Sequence, residues 1–500
     1  MYDRAAEKLN FGDFSECPMR KEEDHHQQAF LAMEQVSASN RDKLEKQFGS
    51  RYSCLMELAY FDTVRCHVID PMHNLFLGTA KHFTKNVLFN SESPLIQKGD
   101  YHILQERVDK CMVPSTMGRI PHKIAAACTS FTADQWKAWT NVFSVFALYG
   151  LIEDDHFACW RLFVQASQLL SKPRITLEEA ERGHQLLLQF CNQFEQLYGS
   201  VRVTPNMHLH AHILSCIKDY GPIYSFWLFS FERYNGLLGG FRTNQRSVEL
   251  QLMRTFLSDL YIHDLKGETN YASKEDLAFL QPASDAGTLK EVSSNHSESY
   301  LQILNASAGI LDPDFPTELW SFIGMYQLGG VMSTEILSEP ELTCLAKCYC
   351  SMYPGGGYST SNISSAVYKY SLVKVCDEIY GSHNTRTARS ILARWCGRNG
   401  RIDTTCLRPG RVSFYFKHSL LHHGVYKPHY FAFVLWFEEH PSRMLLGEPV
   451  ELWCNNIFEA LGPASFLPMQ RIHSKFVAGT DIIDEEMMLF VMPLQQKIYL

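Results

Sequence analysis

Two stretches of this chain carry residues of types that could share a metal ion: Asp70-Pro71-Met72-His73, and Thr204-Pro205-Asn206-Met207-His208-Leu209-His210-Ala211-His212. Pro205 stands where a helix can begin, because the first turn has no use for the N–H it lacks. His208 and His212 are four apart, so a helix stacks them on one face while His210 points elsewhere. Asp70 and His73 set an acidic oxygen and an imidazole three apart at a second helix start. Zinc accepts both donor types, and a closed structural site takes four ligands. Asp70, His73, His208 and His212 would supply four and staple the long segment between them. The plainer reading is that Asp70 caps its helix and the histidines are half-buried polar residues. Gly221-Pro222 then ends the histidine-bearing helix, and Phe231-Glu232-Arg233 places one carboxylate on a further helical run.

The elements that position these residues read as mostly helical. Residues 26–48 predict a helix closed by Gly49. The aromatic and β-branched stretch 60–69 predicts a strand or an extended arm. From Pro71, the steps through Met72, Leu75, Phe76 and Ala80 predict a helix. Between 132 and 198 two apolar stripes recur at helical spacing, one through Phe157, Trp160 and Val164, the other through Leu177, Ala180, Leu187, Cys191, Phe194 and Tyr198. These stripes are core rather than cofactor sites. Residues 244–262 predict another helix with Leu250, Met253, Leu257 and Leu260 inward.

Composition bounds the class. The chain has 500 residues, 46% apolar and 20% charged, with net charge −8, as an ordinary soluble globular protein would. That balance is not a nucleic-acid binder's, so any such activity needs a local basic patch. Fifteen cysteines without one CxxC pair predict buried thiols in a reducing compartment. With no signal peptide or membrane-spanning run, the expected location is the nucleus or cytoplasm.

The candidate basic patch is Arg386, Arg389, Arg394, Arg398 and Arg401, continuing to Arg408 and Arg411, a span with no lysine and one acid, Asp403. As a helix it would present a phosphate-binding surface with Trp395 free to stack; the bland alternative is a solvated linker. In the last hundred residues the period changes to that of strands: Val412, Phe414 and Phe416 alternate, 429–437 is apolar throughout, and Val450, Leu452 and Cys454 alternate again. The expected fold class is α+β, a large helical domain followed by a small antiparallel β-barrel-like domain. The expected divisions are a polar lead-in at 1–25, a helical domain at 26–262, a linker at 263–300, a helical connector with the arginine-rich segment at 301–405 and a β-rich domain at 406–500.

Here a family resemblance enters. Phe61-Asp62 followed by Asp70-Pro71-Met72-His73-Asn74-Leu75-Phe76-Leu77-Gly78 resembles the D-x-M-H block of the CACTA-type (En/Spm-like) cut-and-paste transposases. His208 to His212, Gly221-Pro222 and Phe231-Glu232-Arg233 resemble the later H-x-x-x-H, G-P, E-R block, in the family's order. The resemblance implies an RNase H-like nuclease whose three acids hold two Mg²⁺ or Mn²⁺ ions, with a large helical insertion before the third acid. It implies a zinc-type site at Asp70, His73, His208 and His212, and Glu232 as the third catalytic acid. The first two acids belong to strands upstream of the D-x-M-H block. Here Asp13, Asp24 and Asp62 stand among the early aspartates, and none of these three ends an apolar strand. The expectation is therefore the rear portion of a transposase, without nuclease activity, retaining DNA or protein binding, with self-association as a further expected partner mode and no membrane or small-molecule partner. Two alternatives stand beside it. One is a co-opted, non-catalytic DNA- or chromatin-associated scaffold. The other is a metal hydrolase using His-x-His, which needs repeated β/α units that the sequence does not show.

Overall fold

Buried pairs recur every four residues through Pro71-Met72, Leu75-Phe76, Thr79-Ala80, Phe83-Thr84 and Val87-Leu88. An α-helix turns in 3.6 residues, so a strict four-residue rhythm would wind such a stripe around its surface. The chain adopts wider π-turns over Met72–Ala80 and Thr84–Leu88, with a short α-helical piece, Lys81–Phe83, between them. The stripe thereby stays on one side. This is a computed structural model, describing residues 2–3, 8–9, 14, 20–90, 92–114, 117–118, 120–241, 243–244, 246–267, 326–353, 355–375, 378–382, 389–396 and 402–495.

Around that element the other helices assemble. α1 (Glu22–Met33) and α2 (Ala38–Phe48) replace the single helix expected at 26–48; Gly49, with φ 65°, closes α2 as expected. The stretch 60–69 contains turns and no strand. α3 (Tyr101–Asp109) is followed by the hairpin of α4 (Asp154–Leu170) and α5 (Leu177–Tyr198). Thr176 and Glu179 form a reciprocal cap that starts α5. Two buried indoles in this region find hydroxyl partners: Trp139 Nε1 donates to Thr84 Oγ1 at 3.1 Å, and Trp160 Nε1 to Ser144 Oγ at 2.9 Å. α6 (Pro205–His210) and α7 (Ile213–Tyr220) follow, and Gly221, with φ 85°, ends α7 where the Gly-Pro pair predicts.

The β part begins earlier than expected. A two-residue pair, β1 (Tyr2–Asp3) with β2 (Lys8–Leu9), lies at the amino terminus. The main antiparallel sheet comprises β3 (Tyr326–Ile336), β4 (Ala366–Val375), β5 (Glu378–Gly381), β6 (Ser390–Cys396), β7 (Ile402–His422), β8 (Val425–Glu439), β9 (Glu451–Phe458), β10 (Phe466–Pro468), β11 (Ile472–Ile483) and β12 (Glu486–Pro493). The expected helical connector at 301–405 is thus corrected. Its described part holds β3 to β6 and one helix, α10 (Glu339–Met352). Residues 390–396 read Ser-Ile-Leu-Ala-Arg-Trp-Cys, whose Leu, Ala and Arg favour a helix, but pairing on both sides with β7 and β11 overrides that preference. The pairings run β8–β9–β12–β11–β6–β7 and return from β7 to β8.

A bulge in β7 revises the expected alternation. The register shifts between Val412 and Phe414, so Val412 joins one core with Tyr415, Ala432 and Trp436, whereas Phe414 and Phe416 join another beneath α10.

The chain divides into two compact units. One comprises residues 1–226 and 301–498 and so contains both the helices up to α7 and the sheet; the other comprises 227–300 with 499–500. In the second unit, α8 (Phe229–Gly240) carries Glu232, exposed, and α9 (Val248–Gly267) follows. Leu250, Met253, Leu257 and Leu260, expected to face inward, are exposed, Leu250 by 61%. Most of the expected linker at 263–300 lies outside the described residues. Among the described residues no helix is long and apolar enough to cross a membrane.

Candidate functional site

The two stretches that opened the sequence reading meet in space. Asn74 Nδ2 donates to the Asn206 carbonyl at 2.9 Å, and Thr79 Oγ1 is 3.1 Å from His210 Nε2. His82 Nε2 donates to the Arg202 carbonyl at 2.9 Å. At the other end, Arg65 Nε donates to Asp219 Oδ2 at 3.0 Å and Tyr220 Oη to the Arg65 carbonyl at 2.8 Å. The π-turn segment and the α6–α7 pair therefore run side by side.

Asp70 is the cap that the plainer reading expects. Its carboxylate accepts the backbone N–H groups of Met72 at 3.1 Å and His73 at 3.0 Å, and Oδ2 also meets the His73 ring through Nδ1. Facing a carboxylate, Nδ1 is the ring nitrogen that donates.

His208 and His212 do come together, though not on one helix as expected. α6 ends at His210, and His212 directly precedes α7. The offset still brings their Nε2 atoms to 3.4 Å. Two nitrogens bound to one tetrahedral zinc at about 2.0–2.1 Å stand roughly 3.4 Å apart, so this pair fits one ion. Burial, and then the neighbouring His212 ring, holds His208 at about 4, and burial lowers His212 as well. Both rings are then neutral near pH 7, the form that binds metal. Asp70 and His73 are not gathered with them: among the described residues no three His, Cys, Asp or Glu side chains are grouped so as to hold one ion. The histidine pair fits zinc; the set of four, as arranged, does not.

A third histidine beside the pair escaped the sequence reading. His184 on α5 is pushed down by burial, then by His212 and Lys218, while Glu181 and the His210 backbone act the other way. Its Nδ1 is buried without a hydrogen-bond partner. The signal was present: His184 stands within the apolar stripe Ala180, Leu187, Cys191 of α5, where a polar residue is out of pattern. His210 points away from the pair, as expected, and into the core. It is fully buried, its Nδ1 lies 3.5 Å from Cys191 Sγ, and burial lowers it to about 3. A helix in place of strand ends removes the hydrolase reading of His-x-His.

Of the candidate DNA-binding arginines, Arg386, Arg398 and Arg401 lie outside the described residues. Arg389 and Arg394 are half-buried, just before and within β6 rather than on a helix. Arg394 and Lys172 add to burial in lowering the His473 ring to about 4, so three basic groups crowd there. Arg408 and Arg411 are taken up within the sheet. Arg408 donates to the Phe437 carbonyl at 3.0 Å, pairs with Glu459 and lies over Trp453; Arg411 donates to Asn456 Oδ1 at 2.9 Å between the rings of Phe437 and Phe458.

The chain matches no family model, no curated protein and no solved structure.

Proposed function

We propose that this chain derives from a CACTA-type transposase and acts as a DNA-binding protein that no longer cuts. The observation that carries the reading is the meeting of the two resembling blocks: Asn74 and Asn206, 132 positions apart, are hydrogen-bonded, and the contact extends to Thr79–His210 and Arg65–Asp219. Blocks that serve one site in a family are expected to converge in a descendant.

The ancestral reaction is DNA strand cleavage and transfer, in which two divalent ions flank the attacking and leaving oxygens. Of the three acids this needs, the resemblance assigns only Glu232. One carboxylate does not hold two ions, so the chain by itself does not cleave. Zinc in this reading narrows to His208 and His212, which would hold it as a structural ion and take no part in strand chemistry. The return of the strand pairings from β7 to β8 supports a small barrel-like carboxy-terminal domain as the platform for nucleic acid.

Incubation of the purified chain with supercoiled plasmid in Mg²⁺ or Mn²⁺ tests the loss of cutting. The expected result is intact plasmid. Nicking that disappears in Glu232→Gln would overturn it and restore a working transposase.

A further inference from the structure

The helices of the second unit have no core between them. Among the described side chains of α8 and α9, none is buried. A helix of 20 residues such as α9 draws most of its stability in water from an apolar face packed on something else. α9 carries two such faces. Val248, Leu252 and Phe256, at four-residue steps, are half-buried. On the other side Leu250, Met253, Leu257 and Leu260 are exposed, by 61%, 57%, 44% and 45%. With 3.6 residues to the turn these four fall within an arc of about 80°. A helix that is apolar on both sides is normally enclosed on both.

The open stripe has the spacing of a helix that pairs with its like. Its steps of three, four and three are those of heptad positions a and d, with Leu250 and Leu257 at a and Met253 and Leu260 at d. Glu249 then borders the stripe on one side, at g, and Arg254 on the other, at e; both are exposed. In a parallel pair of helices, g of one copy faces the e that lies five residues further along the other. Glu249 of each copy would thus meet Arg254 of its partner, twice over by symmetry. The next such pair is Phe256 with Tyr261, aromatic on both sides, and Tyr261 is 71% exposed. An antiparallel pair matches g with g and e with e and brings no opposite charges together. The stripe and its borders are therefore complementary to themselves in one orientation.

We propose that α9 is a self-association surface, on which a second copy of this chain lays its own α9 in parallel, with the Leu250, Met253, Leu257 and Leu260 stripes in contact and Glu249 paired to Arg254 across the interface. Such an interface is isologous, the same patch on both copies, and closes on a dimer. The proposal uses nothing of the DNA-binding reading and stands or falls separately from it.

The test measures the mass of the full chain in solution by sedimentation equilibrium across micromolar concentrations. The wild type is expected to shift from monomer to dimer as concentration rises. Leu250→Lys with Leu257→Lys sets lysines against each other at both a positions and should leave only monomer. Those side chains are exposed in a single copy, so far-ultraviolet circular dichroism under conditions where the wild type is also monomeric should be unchanged. Glu249→Arg alone, or Arg254→Glu alone, places like charges at both pairs and should weaken the dimer by about tenfold. Mixing these two variants restores both opposite-charge pairs, so a mixed dimer of wild-type strength should form. If the lysine pair disturbs folding, the charge exchange decides alone. A wild type that stays monomeric throughout overturns the proposal. So does a dimer that survives the lysine pair, because the copies then meet elsewhere. A mixture that associates no more tightly than either charge variant by itself rejects the parallel pairing and overturns it as well.

Discussion

Two imidazole nitrogens 3.4 Å apart are either a hydrogen bond or two corners of a metal site, and protonation limits which can hold. Burial and mutual repulsion keep His208 at about 4, so near neutral pH no proton has to be displaced before an ion enters. The expected outcome is that added zinc raises the thermal midpoint of the wild type by a few degrees at most, as suits a site with two strong ligands, and leaves His208→Ala unmoved. An equal rise in both proteins would end the zinc reading, and the contact would then be a hydrogen bond between neutral rings. At this scale the sequence told much. The four-residue spacing marked His208 and His212, and the rings do meet, although a break at residue 211–212 rather than a continuous helix brings them together. His184, 24 positions before His208, breaks the pattern of its apolar stripe, but nothing local says which helix will lie across from it. The Asp70–His73 contact was legible as a cap; that its ring nitrogen would turn to the carboxylate was not, since that depends on the side-chain rotamer.

The element that carries the first block is a helix wound more loosely than usual, and its start hangs on Asp70. The first backbone N–H groups of a helix have no partner inside it, and Asp70 takes two of them, from Met72 and His73. Asp70→Ala is expected to lower stability by about 1 kcal/mol, whereas Asp70→Asn, which keeps an acceptor oxygen, should lose less. The denaturant midpoint of the metal-free protein measures both. Equal losses for the two variants, or none, would show that the carboxylate does something other than cap. Met72, Leu75, Phe76 and Ala80, read from the sequence as one helical face at three- and four-residue steps, are all buried. Reading them as an ordinary helix placed the right residues inside with the wrong winding, because stepping by threes and fours tolerates both. The strand β6 was misread for a different reason. Leu392, Ala393 and Arg394 favour a helix by themselves, and only partners that lie far along the chain, Ile472 and Ser474 in β11, make the segment extended. The bulge between Val412 and Phe414 is equally silent in sequence, since one extra residue leaves the local alternation intact and changes which core each side chain enters.

Taken as one body, the unit formed by residues 1–226 and 301–498 joins its helices to its sheet along β11. Met112 and Ala478 exchange backbone hydrogen bonds, at 2.8 and 3.2 Å. Arg107 donates to Asp481 at 2.8 Å and to the Ala147 and Tyr149 carbonyls at 3.1 and 2.6 Å, so one guanidinium ties α3 to both partners. Between these contacts the Phe146 ring lies against Phe490, with centres 4.6 Å apart, and Gly479 makes room for it. A methyl group on Gly479 would stand 2.6 Å from Phe146 Cε1, and the ring is fully enclosed, so it has nowhere to go without moving the sheet or the helix. Gly479→Ala is therefore expected to destabilise by about 1–3 kcal/mol. Where that loss shows distinguishes two pictures of the molecule. The sequence suggested a helical domain and a β domain joined by a connector, which would melt separately, and the substitution would then move only the melting of the sheet. Because the contact is shared, loss of helix by far-ultraviolet circular dichroism and loss of the sheet core by near-ultraviolet signal should fall together in Gly479→Ala, by the same number of degrees. A helical transition that stays at the wild-type temperature while the sheet melts earlier would mean that the two parts touch without sharing their stability.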